Sequence, residues 1–263
     1  MATTPRSSLG RKVDYPTSDG KPMAETDAHR ELMLDLICTL DDHFAADPRA
    51  YVSGNLMLFY EEGNRRKHIS PDVFVVRGVA KGLRDYYLLW EEGRGPEIAI
   101  ELTSKSTRSE DVKKKMALYR DVLRIPEYFL FDPFRDYLKP PMQGYRLIGG
   151  AYEPIEPVDG RLPSEALNLH LERDGWQLRL VDPVTGRRLP TRSERIAAEA
   201  VRADAEAVRA DAEAVRADAE AVRADAEAVR AGRERTARLE AEAEVDRLRE
   251  ELDQLRRRAP GGD

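Results

Sequence analysis

The residues that could do chemistry fall in three blocks: SPDVFVV ending in Val76, PEIAIELTSKST ending in Thr107, and EDVKKKMALYR ending in Arg120. The first sets Asp72 at the start of an apolar strand. The second sets Glu101 at the end of one, and the third sets Lys115 on a helix directly after. Phosphodiester hydrolysis needs negative charge on the scissile group neutralised and a water made nucleophilic, and a divalent metal on carboxylates does both. Mg²⁺, with Mn²⁺ as a substitute, takes hard oxygen ligands. Asp72 and Glu101 are the candidate carboxylates, with the Leu102 carbonyl as a third protein ligand. Lys115 is the candidate for orienting water and stabilising charge on the phosphoryl group.

Each residue also has a plainer reading. Asp111, Lys115 and Tyr119 recur at i, i+4 and i+8 and share a helix face, so Asp111 and Lys115 could be a surface pair worth under about 1 kcal/mol. Asp72 could be a turn residue after Pro71. Glu101 is harder to dismiss: a carboxylate closing the run Ile98-Ala99-Ile100 needs a partner or a site, because unpaired burial is costly.

The elements that must position these groups read as follows. Residues 1 to about 23 are polar and rich in Pro, Ser and Gly, a loose arm. From Ala24 to about Phe44, Leu32, Leu36, Ile37, Leu40 and Phe44 form one helical stripe, capped by Thr26 or Asp27. YVSGNLMLFY from Tyr51 reads as a strand that turns at EEGNRR into SPDVFVV as a hairpin. RDYYLLWEEG is a strand or a short helix. PEIAIELT is a continuous apolar run, as in a buried central strand. Ser106 or Ser109 caps the helix of Lys115, and PEYFLFDP is the next strand. GYRLIGGAYEPIEP turns at Gly149-Gly150, and GWQLRLVDPVTGRRL adds another short strand and turn. This order predicts an α/β fold with a mixed sheet flanked by helices, over residues 24–190.

The tail differs in kind. From Ala198 to Gly232 the heptad AEAVRAD recurs, and its alanine content favours helix. With Val201, Val208, Val215, Val222 and Val229 at d, alanines fall at a, Arg at e and Asp at g, the charge arrangement that flanks a coiled-coil seam. Gly232 breaks the frame, and a second seam runs through Val245, Leu248, Leu252 and Leu255. Residues 191–258 are therefore expected to be a coiled coil that self-associates, or a single helix held by pairs such as Glu206 with Arg209. Residues 259–263 are expected to be disordered.

Composition narrows the class. The chain has 263 residues, 41% hydrophobic and 35% charged, with net charge −6. That balance argues against a general nucleic-acid coat and leaves room for locally basic groups. Cys38 is the only cysteine, so neither an intramolecular disulfide nor a cysteine zinc site is expected; it reads as a buried thiol. No apolar run reaches membrane-span length and the N-terminus has no signal-peptide core, so a cytoplasmic protein is expected. No serine-hydrolase elbow and no phosphate-binding glycine loop occurs.

SPDVFVV, PEIAIELTSKST, EDVKKKMALYR, IPEYFLFDP and the lead-in YPTSDGKPMAETDAHRELM together closely resemble the Uma-two family of restriction-endonuclease-like proteins, in the PD-(D/E)xK nuclease superfamily. The resemblance covers roughly Asp14 to Leu189. It implies a restriction-endonuclease-like fold, a Mg²⁺-dependent site and a nucleic-acid partner, DNA first. Asp72 matches the motif Asp and Glu101 the motif acid, but the motif Lys position holds Thr103. The resemblance implies that the lysine has moved to the following helix, at Lys115, with Lys105 the competitor. An acid on the first helix, Glu25 or Glu31, with His29 close by, would complete the metal site. Arg65, Arg66 and Lys67, with Lys105, are candidate phosphate contacts; NRRKH could equally be a solvated hairpin tip. Two functions follow: an endonuclease, or an inactive nuclease-fold binding or scaffold module assembled through its coiled coil. Homo-oligomers through domain and coiled-coil contacts are expected in either case.

Overall fold

The strands and helices follow from where apolar residues alternate and where they run unbroken. A computed structural model describes residues 15–18, 26–104 and 110–258. Helix α1 (Asp27–His43) starts at Thr26, whose side chain accepts the His29 N–H, an N-cap that satisfies one orphan donor. Strands β1 (Ala50–Ser53), β2 (Leu58–Phe59), β3 (His68–Ile69), β4 (Val73–Arg77) and β5 (Tyr87–Leu88) follow, then the one-turn helix α2 (Leu89–Glu92) and strand β6 (Ile98–Leu102). A π-helical turn (Glu110–Lys115) runs into helix α3 (Met116–Asp121), and β7 (Glu127–Phe131), β8 (Met142–Ile148) and β9 (Ala151–Pro154) come next. Strands β10 (Leu162–Ser164), β11 (Leu169–Asp174) and β12 (Gln177–Val181) precede the long helix α4 (Arg192–Arg258).

The main sheet has six strands in the order β1-β4-β6-β7-β8-β9. Only β6 and β7 pair in parallel, bridged by the π-turn and α3; the other neighbours are antiparallel. The sheet is therefore mixed, as expected. Both faces are covered. Val73, Val75, Ile98, Ile100 and Leu102 pack toward α1 and the β10-β11-β12 sheet. Phe74, Val76 and Ala99 pack toward α3 and the small sheet β3-β2-β5. Double coverage explains why the β6 sequence is apolar without alternation.

Several expectations need correction. YVSGNLMLFY is not one strand. It splits at Gly54 into β1, on the main sheet, and β2, in the small sheet. The EEGNRR turn joins β2 to β3 rather than closing a hairpin onto β4, although β1 does pair antiparallel with β4. The cause is local: a Cβ on Gly54 would collide with the Asp72 carbonyl oxygen and sit 2.7 Å from Ile37 Cδ1. The backbones touch there, so the chain cannot continue as a regular strand. RDYYLLWEEG is both things at once, β5 and then α2. GYRLIGGAYEPIEP forms β8 and β9 on the sheet edge, whereas the GWQLRL segment supplies β12 to a separate sheet. Cys38 is only partly buried.

The Gly54 approach gives a prediction. Gly54→Ala should destabilise the protein by about 1–3 kcal/mol, the usual cost of forcing a methyl into a packed site, and should displace the Asp72 backbone. Chemical unfolding reads the first effect and amide hydrogen exchange along β4 the second. A variant as stable as the wild type would mean that the β1–β2 loop yields freely.

The expected loose arm and the segment from 105 to 109, with its Ser106 and Ser109 caps, lie outside the described residues apart from 15–18. Tyr15, within 15–18, is buried with its ring 4.8 Å from that of Phe59 and 5.5 Å from that of Trp90. Among the described residues, no helix is long and apolar enough to cross a membrane. The chain divides into two units, meeting between Ile196 and Ala197. The first holds the sheets; the second is the heptad-bearing part of α4, helical through Gly232 although the frame breaks there.

Candidate active site

Strand register decides where the two acids point. In the β4–β6 pair Val73 faces Ile100 and Phe74 faces Ala99. Continuing one step sets Asp72 opposite Glu101, and directly opposed residues share a face. By the same parity both belong with Phe74 and Ala99, on the α3 side. Regular pairing stops at Val73, and the Leu102 N–H, which would have met a β4 carbonyl, donates instead to Asp72 Oδ2 at 2.7 Å. The Leu102 carbonyl lies on that same edge of its strand, because a strand residue's N–H and C=O point the same way.

Glu101 is fully buried, at 0% exposure. Its Oε1 accepts from the Tyr119 hydroxyl at 2.6 Å, and its Oε2 lies 2.6 Å from Lys115 Nζ. Lys115 Nζ is also 3.3 Å from Asp111 Oδ1. The Tyr128 hydroxyl donates to the Asp111 carbonyl at 3.0 Å and pins the π-turn to β7. His29 Nε2 sits 3.6 Å from Asp72 Oδ2. The structure thus gathers Asp72, Glu101, Lys115 and Leu102, and it buries the Asp111–Lys115 pair instead of leaving it on the surface.

The cluster sets three carboxyls against one ammonium and a histidine. Burial pushes Glu101 up to about 8, with Asp72 and Asp111 adding to the rise and Lys115 opposing it. Burial also works against the Asp72 charge, but the nearby His29 imidazole, the Lys115 charge and the Leu102 N–H outweigh it and hold Asp72 below the usual carboxylate range. Burial works against the Lys115 charge too, yet Glu101, Asp72 and Asp111 keep it an ammonium, its pKa raised. Two facing acids titrate apart in this way when they compete for one proton.

Among the described residues, no three His, Cys, Asp or Glu side chains already form a ligating cluster. An ion here could rest on Asp72, Glu101, the Leu102 carbonyl and water, an all-oxygen set that suits Mg²⁺. The excess of acids over cations is the chemical reason the set fits a divalent ion.

A cleft of about 460 Å³ opens beside the cluster, lined by His29, Leu102, Thr103, Ser104, Asp132 and Phe134 among others. Thr103, at the motif-lysine position, is buried and hydrogen-bonded to the Tyr137 hydroxyl, so the ammonium beside Glu101 comes from Lys115. The Asp132 wall was invisible in the sequence except as a strand-ending Asp-Pro. Its carboxylate accepts the N–H groups of Tyr137 and Leu138, each at 3.0 Å. Burial opposes that charge, but the backbone donors prevail and lower its pKa. A depressed carboxyl contributes stability that is present above its unfolded value and lost as pH falls through the folded one. Asp132→Asn should therefore cost about 1–2 kcal/mol at pH 7, and its deficit should shrink below about pH 4. Urea unfolding at both pH values checks this, and an equal deficit at both would rule it out.

The remaining candidates fall elsewhere. Glu31 is exposed and lines a different hollow, with Arg30 and Arg192, so it does not complete the site. A helix face turns through 100° per residue, and position 31 points away from the position 29 that reaches Asp72. Glu25 and Lys105 lie outside the described residues. Arg65, Arg66 and Lys67 are exposed on the β2–β3 turn, and among the described residues no ion pair joins them to the cluster. The Tyr119 hydroxyl was within reach of sequence reasoning, since it shares a face with Lys115. His29 was flagged only through the resemblance.

The Uma2 family model, described as "Putative restriction endonuclease", matches residues 6–181. The chain belongs to the Uma2 family. Membership in Uma2 makes this a nuclease-family protein and agrees with the expected fold class. Among solved structures, the chain is similar to the crystal structure of a "putative nuclease belonging to DUF820" from Anabaena variabilis ATCC 29413. That similarity has 17% identity, covers 61% of this chain and 90% of that one, and has a TM-score of 0.43. Among curated proteins, none matches.

Proposed function

We propose that this Uma2 protein is a Mg²⁺-dependent endonuclease that hydrolyses phosphodiester bonds of nucleic acid, DNA first. The observation that carries the reading is the buried meeting of Asp72, Glu101 and Lys115, with acids in excess, beside an open cleft. Asp72, Glu101 and the Leu102 carbonyl would hold the cation. Mg²⁺ bound there supplies Lewis-acid polarisation and makes a water more acidic. Lys115 orients the attacking water and stabilises charge growing on the phosphoryl oxygens. The water oxygen bonds to phosphorus and gives a proton to solvent, as the bond to the leaving oxygen breaks and that oxygen takes a proton from solvent to depart as a hydroxyl. Tyr119 fixes the Glu101 carboxyl and Asp111 helps fix the Lys115 ammonium, so neither has to be reorganised during the reaction.

The test is nicking of supercoiled plasmid with Mg²⁺ by wild type and by Asp72→Asn, purified side by side. Cutting by the wild type alone is expected; equal cutting by both would assign it to a contaminant or another site. A second reading, an inactive nuclease-fold binding or scaffold module, is favoured by one observation: both Glu101 oxygens already have partners. It requires that calorimetry detect no Mg²⁺ or Mn²⁺ binding that depends on Asp72 and Glu101.

A further inference from the structure

The second unit of the chain is a helix with an uncovered valine–alanine stripe and a strictly ordered set of charges up to Gly232, and a second Val/Leu seam beyond it. Val201, Val208, Val215 and Val222 are 68–69% exposed, and Val229, Val245, Leu248 and Leu252 are about half exposed. A helix that long with one face of valine and alanine hides that face only against something else. We propose that the cover is a second copy of this chain, running parallel and in register, as a two-stranded coiled coil.

The charges choose the orientation. With valine at d, every heptad from Val201 to Arg230 has Asp at g and Arg at e. In a parallel in-register pair, each g residue faces the e residue of the next heptad on the partner helix. Asp204 then meets Arg209 of the other copy, and likewise Asp211 meets Arg216, Asp218 meets Arg223 and Asp225 meets Arg230. Opposite charges meet along both flanks. An antiparallel pair would instead bring g against g and e against e, aspartate on aspartate and arginine on arginine, which is unfavourable at every heptad.

These charges are also uncommitted within their own helix. Among the described residues, the ion pairs internal to the second unit join Arg238 to Glu242, Arg247 to Glu244 and Arg249 to Asp246. All lie beyond Gly232, and Glu206 makes none with Arg209, so the charges of the repeat are left for a partner helix. Two strands suit the seam better than three. Alanine at a lets two helices approach closely, whereas three around an Ala/Val axis would leave a central void. The inference stands apart from the nuclease reading, since it uses only the second unit.

The test uses the full chain. Cys38 is the only cysteine, so the pair Cys38→Ser and Val208→Cys carries one thiol, at an exposed position whose change does not threaten the fold. Position 208 lies far from the middle of the helix, so it meets its own counterpart only in the parallel register. Light scattering at micromolar concentration should give the mass of two chains. Mild oxidation should convert most of the protein to a covalent dimer on a non-reducing gel, and Val201→Cys in the same background should do likewise. A one-chain mass overturns the proposal in favour of a lone helix. A mass of three or more chains overturns the two-stranded seam. A two-chain mass without the cross-link overturns the parallel register, leaving an antiparallel pair or a dimer through another surface.

Discussion

Replacing Glu101 by glutamine is expected to lower metal-dependent cleavage on the order of 10³-fold, while unfolding free energy stays within about 1–2 kcal/mol of wild type. The asymmetry follows from the bonding around the residue. Glutamine keeps the shape of the side chain and one acceptor oxygen, enough to receive the Lys115 N–H now bound to Oε2. Its amide can donate to the Tyr119 oxygen, so the cost is one rearranged hydroxyl. Lys115 keeps Asp111 as a charge partner at 3.3 Å, and one buried carboxyl that burial disfavours as an anion is gone. A cation loses one of two carboxylates, however, so calorimetric Mg²⁺ affinity should fall together with the cleavage rate. Full activity in a well-folded Glu101→Gln protein would remove the buried acid from the mechanism.

Lys115→Met should do the reverse to stability. Methionine fills much of the same volume but leaves Asp72, Glu101 and Asp111 without their ammonium. Breaking a buried pair by removing one partner costs about 3–5 kcal/mol, and the proton that burial already favours on Glu101 should hold the loss near the lower end. Cleavage should also drop, by about 10²–10³-fold, the usual effect of removing one group that stabilises developing charge. The control that separates the roles is Mg²⁺ itself: added in the absence of nucleic acid, it should raise the melting temperature of Lys115→Met more than that of wild type. An unchanged melting temperature in chelator would show that the buried acids are already neutral without the lysine.

The acid pair was legible in the sequence because its two strands announce themselves. The apolar runs that follow Pro71-Asp72 and precede Thr103-Ser104 fix where β4 begins and β6 ends, and chemistry sits at those ends. Lys115 was legible because the helix follows within a few residues. What the sequence did not carry was contact between distant backbones. The Gly54 approach to the Asp72 carbonyl splits one apparent strand into β1 and β2, and glycine alone gives no direction for such an approach. The acid on the first helix was a matter of phase: His29 faces Asp72 and Glu31 faces solvent, a distinction of two residues that spacing from a polar lead-in could not set. The wall of the cleft depends on Asp132 folding its own loop back through Tyr137 and Leu138, and no residue type marks that in advance. Strands β10 and β11 went unread because the LPS of β10 has one apolar residue and a proline, and the alternation LNLHLE that enters β11 is only six residues long; their burial comes from packing on α1 and its neighbours.

The alignment of β4 on β6 has an evolutionary consequence. A one-residue slip would turn Val73 and Val75 away from α1, which folding does not tolerate. The same alignment keeps Asp72 across from Glu101. Selection for foldability alone would thus hold positions 72 and 101 face to face whatever side chains they carry. The lysine on its short π-turn is the member of the trio whose position the sheet does not dictate, yet it is the one whose loss the buried acids around it would feel most.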